Sequence, residues 1–103
     1  MIKITIKYNN NSITNLTISG HAHYDVSGKD IVCAAVSSSA LTTINGLLSI
    51  NENYINHYQQ KDNLIIKVNM NDNIVEKLLN NLTLMLKELE KEYPKHIKII
   101  EEV

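Results

Sequence analysis

Ile2-Lys3-Ile4-Thr5-Ile6-Lys7-Tyr8, followed by Asn9-Asn10-Asn11, decides what kind of domain this is. Ile2, Ile4, Ile6 and Tyr8 fall on one side of an extended chain and Lys3, Thr5 and Lys7 on the other, the period of two that marks a half-buried strand. Asparagine tolerates left-handed backbone and hydrogen-bonds locally, so the triple Asn predicts a turn. A second strand then runs from about Ile13 to Ser19 with Leu16 and Ile18 facing in. Two strands joined this way form a hairpin.

Beyond the hairpin the alternation stops. Gly20-His21-Ala22-His23-Tyr24-Asp25-Val26-Ser27-Gly28-Lys29 has no period and predicts a surface loop, the kind of segment that carries function. Asp30 is a strong N-cap type and opens a helix to about Ser49, with Ile31, Val32, Val36, Ala40, Leu41, Ile44 and Leu48 at helical spacing. The small Ser37, Ser38, Ser39, Thr42 and Thr43 predict close packing of that helix. Residues 53–60 and 64–70 predict a second hairpin around Lys61-Asp62-Asn63, with Leu64, Ile66, Val68 and Met70 on one side of its return strand.

A second helix spans about 74–92, opened by Asn73 with Glu76 three residues on as a capping box. Its predicted buried stripe is Ile74, Leu78, Leu82, Met85 and Leu89, widened by Val75, Leu79 and Leu86. Leu84 falls on the polar face, an exposed apolar residue compatible with a partner surface. Pro94 ends the helix, and His96 to Glu101 predicts a last strand. The order ββαββαβ is an α+β fold: one domain over residues 1–103, with two helices on one face of a mostly antiparallel sheet.

Composition narrows the function. A chain of 103 residues builds a core without staples. Ten lysines against eleven acidic residues give a net charge of −1, and there is no Arg, Trp or Phe. The one cysteine, Cys33, excludes an internal disulfide framework and a thiolate-only zinc site. Lack of Arg and of positive charge weighs against nucleic-acid binding. No apolar run approaches the ~20 residues that cross a bilayer, and the alternating N-terminus matches neither a signal nor a transit peptide. The expected setting is the cytoplasm, where a lone thiol stays reduced.

With Asp30 as cap, Cys33 is the third helical residue. A thiol there faces backbone N–H groups and the positive end of the helix dipole, which favour thiolate and a lowered pKa. The same N–H groups are donors for an oxyanion. His21, twelve residues earlier, reaches the helix entrance and can act as base and then as general acid. Ser37, one turn on, either supports the site or bonds back to the Cys33 carbonyl. Each residue also has a structural reading. Free cysteine is among the most buried residue types. Asp30 serves as a cap, Gly20 and Gly28 as backbone devices, and His57 and His96 as structural or solvent-facing side chains. His21, His23, Asp25 and Cys33 are also possible metal ligands.

Gly20-His21-Ala22 followed by Gly28-Lys29-Asp30-Ile31-Val32-Cys33-Ala34-Ala35-Val36-Ser37 resembles the signature of the ribosomal-processing cysteine protease family. The resemblance implies a cytoplasmic cysteine endopeptidase with a Cys–His dyad and neither metal nor other cofactor. It would remove the short N-terminal extension of a large-subunit ribosomal protein, the twenty-seventh, after an aromatic residue. It also implies a homodimer that binds its substrate as a peptide and engages no nucleic acid or membrane. His21 would then be the base and Cys33 the nucleophile, with Gly20, Ala22, Gly28, Asp30 and Ser37 supporting the site. Residues 21–29 would form a lid over the peptide, and the role of His23 stays open. The rival readings are a non-catalytic, ribosome-associated binding module and a His/Cys metal-binding protein.

Overall fold

The computed structural model describes residues 1–22 and 30–103. Strands β1 (Ile2–Asn9) and β2 (Ser12–Ser19) pair antiparallel across Asn10 and Asn11, whose φ angles of 52° and 67° are left-handed. Turns of that hand match the twist of the strands they join. The register shifts between Lys7, opposite Asn15, and Tyr8, opposite Ile13, which is a bulge at Thr14. The extra residue brings Ile13 as well as Leu16 and Ile18 to the buried face, although strict alternation would turn Ile13 outward.

Helix α1 (Ile31–Ile50) follows, then β3 (Ile55–Gln60), β4 (Asn63–Val68), α2 (Asn73–Glu92) and β5 (Ile97–Glu102). The strands make one sheet in the order β3-β4-β2-β1-β5. All neighbours are antiparallel except β1 and β5, which run parallel. A parallel pair needs a crossover, and α2 supplies its final leg. The ββαββαβ order and the helix-covered face agree with the sequence. The second hairpin is shorter than expected: the Asn69 N–H still reaches the Tyr54 carbonyl in register, but the Met70 N–H turns to that same oxygen and the ladder ends there.

Ile2, Ile4 and Ile6 from β1, Leu16 and Ile18 from β2 and Ile66 from β4 meet the helices in one core. Burying each such side chain stabilises the fold by ~1.5–3 kcal/mol. Helix α1 contributes Val32, Val36, Ala40, Ile44 and Leu47, whereas Ile31 and Leu41 of the expected stripe are exposed. By length and composition α1 is apolar enough to cross a membrane. The interruption of its apolar run by serines and threonines conceals this in the sequence.

Helix α2 differs from expectation in two ways. Its cap is Asp72, whose carboxylate accepts from the Ile74 N–H at 2.7 Å. Glu76 makes no capping box, because its carboxylate accepts from the Ser12 hydroxyl and ties α2 to β2. The buried stripe is Val75, Leu79, Leu82, Thr83 and Leu86, while Ile74 and Met85 are exposed. The apolar band is wider than the face the sheet covers, and packing selected the side one position on. Leu84 is 63% exposed, as its place on the polar face predicts.

Candidate active site

Asp30 opens α1 as the sequence predicts. Its Oδ1 accepts from the N–H groups of Val32 and Cys33, both at 3.0 Å, and its carbonyl from Ala34 at 3.1 Å. The consequence for the thiol reverses the expectation. The first-turn N–H groups of Val32 and Cys33, expected to serve a thiolate or an oxyanion, are occupied by the cap. Burial pushes the Cys33 thiol above its ordinary value, and the Asp30 carboxylate pushes it further the same way. The larger opposing influence is the Ala22 N–H, which donates to Cys33 Sγ at 3.3 Å, and the Met1 ammonium adds a smaller one.

Gly20 carries the chain out of β2 with φ at 85°, and a Cβ there would lie 2.5 Å from the Met1 carbonyl oxygen. Only glycine fits this bend. His21, just beyond it, lines a pocket of about 220 Å³ together with Gly20, Cys33, Ser37, Leu41 and Asp62. Its Nε2 lies 2.9 Å from Asp62 Oδ1. A carboxylate only accepts, so Nε2 carries a proton in this contact, and the nitrogen left to act as a base is Nδ1. The Asp62 carbonyl also accepts from the Gly20 N–H at 3.2 Å, so the β3–β4 turn is pinned to the His21 segment twice.

Asp62 is the site residue that sequence reasoning missed. It was legible as a turn residue, but nothing local tells that β4 pairs with β2 and brings this turn beside Gly20. Ser37 lines the pocket one turn from Cys33, while back-bonds to helix carbonyls on α1 are made by Ser39 and Thr43. Ala22 is buried, and its carbonyl accepts from His96 Nδ1 at 2.8 Å. His96 therefore precedes β5 rather than belonging to it, and its structural role is specific. His57 is exposed on β3.

Gly28, His23, Asp25 and most of the expected 21–29 lid lie outside the described residues. Among the described residues, no three His, Cys, Asp or Glu side chains gather as metal ligands. The pocket can thus bring a thiol, an imidazole with a carboxylate behind it, and a backbone N–H to bear on one bound group.

A family model for cysteine protease Prp matches residues 1–98. The ribosomal processing cysteine protease Prp of Staphylococcus aureus is 26% identical over 96% of this chain and 97% of its own length. The structure of the essential S. aureus protease Prp with a covalently linked product peptide superposes with a TM-score of 0.93 at 24% identity, covering 99% of this chain and all of that one. A Streptococcus mutans protein superposes with a TM-score of 0.85 at 22% identity, over 99% of this chain and 94% of its own.

Proposed function

The chain belongs to the cysteine protease Prp family, and from that premise we propose that it removes the short N-terminal extension of a large-subunit ribosomal protein, the twenty-seventh. It is a cysteine protease, and on our reading Cys33 is its nucleophile and His21 its base. The observation that carries the assignment is that His21 and Cys33 line one and the same pocket.

Chemistry follows from the protonation states. Burial pushes the Cys33 thiol up, so on this reading His21 takes its proton during attack. As Sγ bonds to the scissile carbonyl carbon, that proton passes to Nδ1. The C–N bond then breaks and the proton goes to the leaving amine. Water releases the acyl group from Sγ by the reverse relay and restores the thiol. The Ala22 N–H, already on the sulfur, favours the thiolate character that develops as the proton leaves.

The supporting roles are distinct. Asp62 holds the imidazole plane through Nε2, and Asp30 builds the first turn that presents Cys33. Gly20 supplies the bend before His21, and Ser37 walls the pocket. A peptide substrate is supported by the S. aureus relative, solved with substrate and product peptides. The same reading makes the protein a cytoplasmic homodimer, with exposed Leu84 a candidate contact that sedimentation of Leu84→Lys would probe.

The test is cleavage of a peptide spanning the ribosomal protein's N-terminal extension. Wild type cuts it once, and Cys33→Ala and His21→Ala lose activity. An intact peptide with wild type, or cutting by Cys33→Ala, overturns the assignment.

A further inference from the structure

We propose that His96 is a positioning residue for the thiol: its bond to the Ala22 carbonyl holds that residue so that the Ala22 N–H stays on Cys33 Sγ. Three segments far apart in sequence meet in this relay. His96 Nδ1 lies 2.8 Å from Ala22 O, and Ala22 N lies 3.3 Å from Cys33 Sγ. A carbonyl oxygen only accepts, so Nδ1 carries the proton in this contact.

His96 is built as a fixed support. Its own N–H donates to the Tyr93 carbonyl at 2.9 Å, and its carbonyl accepts from the Ile2 N–H at 2.8 Å. The residue is thereby tied to the start of β1, an interior strand of the sheet. Ala22 needs such a reference. The ladder between β2 and β4 reaches only Ser19 opposite Asn63, and Gly20 then turns the chain away. Ala22 has a methyl side chain with no polar atom to hold its backbone, so the carbonyl contact from His96 anchors one of the two peptide planes flanking its Cα and limits how far the residue, and with it the N–H, can turn.

The effect is specific to the chemistry. An N–H pointed at sulfur stabilises the negative form of that sulfur and opposes burial and Asp30. Loss of the support lets the N–H turn away, so the thiol ionises at higher pH and attacks more slowly. Among the described residues, the other charged groups bearing on the sulfur are the Asp30 carboxylate and the Met1 ammonium, neither of which a His96 substitution removes.

The inference rests on Cys33 being the nucleophile, and its test separates the two. Iodoacetamide alkylation of Cys33 in the full chain, followed against pH, needs no substrate. His96→Ala moves the alkylation profile up by about half to one pH unit, which slows labelling about three- to tenfold at a fixed pH below the midpoint. In the peptide assay kcat falls by a similar factor while KM stays. His96→Asn, whose Nδ2–H reaches toward the same carbonyl, restores most of both. Should His96→Ala not fold, His96→Phe, which keeps a ring and lacks the donor, is read in its place. A folded donor-free variant that alkylates along the wild-type profile, or an Asn variant no better than Ala, overturns the proposal even if Tm falls. Slower alkylation together with an uncut peptide upholds the relay and overturns only the substrate.

Discussion

The carboxylate of Asp62 and the ring of His21, forty-one residues apart, meet at 2.9 Å at the rim of the pocket that holds Cys33. The pair is exposed, 57% on the His side and 61% on the Asp side, so solvent screens it and it contributes little to stability. Its effect is geometric. It selects the Nε2–H tautomer and presents the other nitrogen as the base.

Asp62→Ala therefore lowers kcat/KM about ten- to a hundredfold, the scale of a misoriented catalytic group, and leaves Tm unchanged. Asp62→Asn keeps an acceptor oxygen for Nε2 and loses less. Steady-state cleavage together with a melting curve checks both. A large fall in Tm with unaltered kcat/KM would contradict the orienting role.

Asp30 caps α1 and also raises the Cys33 thiol, and substitutions separate these effects. Asp30→Asn retains a good cap and removes the charge, so Cys33 alkylates several-fold faster at pH 8. Asp30→Ala also removes the charge but costs about 1 kcal/mol of stability through the lost cap. The folded thiol value lies above the unfolded one. Its contribution to stability is thus full below the unfolded value and disappears as pH rises through the folded one. Rate profiles and urea midpoints across the alkaline range test the sign.

Gly20 and Gly46 respond to an added methyl group in opposite directions. Gly20→Ala places a Cβ against the Met1 carbonyl at a positive φ. The backbone strain alone costs about 1–3 kcal/mol, and displacement of His21 lowers activity as well. Gly46, inside α1, has nothing within 4 Å of an added Cβ. Gly46→Ala stabilises the protein by roughly 0.5–1 kcal/mol with activity unchanged. Thermal melts and the cleavage assay read both.

At the far end of β1, the Tyr8 hydroxyl donates to Glu101 at 2.7 Å. Burial and then Glu101 push Tyr8 up to about 12, while the Tyr8 bond and Lys87 hold Glu101 below the usual carboxylate value. The Tyr8 contribution is present below the ordinary phenol value and is lost as pH rises toward 12. The Glu101 contribution is present above the ordinary carboxylate value and is lost as pH falls through its depressed one. The urea midpoint gap between wild type and Tyr8→Phe is expected to be flat at intermediate pH and to narrow at both extremes.

Much of this was readable without coordinates. Alternation over residues 2–8, the asparagine turn and the Asp30 cap are local signals, governed by backbone geometry within a few residues. They yielded the ββαββαβ order, the placement of Cys33 in the first turn of α1, and His21 just past β2. Local signals failed at α2, where the apolar band is broader than its contact face and Asp72 competes with Asn73 as cap. They failed again at Thr14, where a bulge inverted the alternation.

The sequence by itself determined the elements, the nucleophile candidate and its base, because periodicity, capping and a short motif depend only on neighbours along the chain. Tertiary structure alone decided the company those residues keep. Pairing of β4 with β2 brings Asp62 to His21, and parallel pairing of β5 with β1 brings His96 to Ala22. It also decided the sign of the Cys33 shift, since burial and the distance to a carboxylate are properties of packing. A strand's period reports which face is buried and is silent on which strand lies beside it, and at this site the neighbouring strands supply the second half of the chemistry.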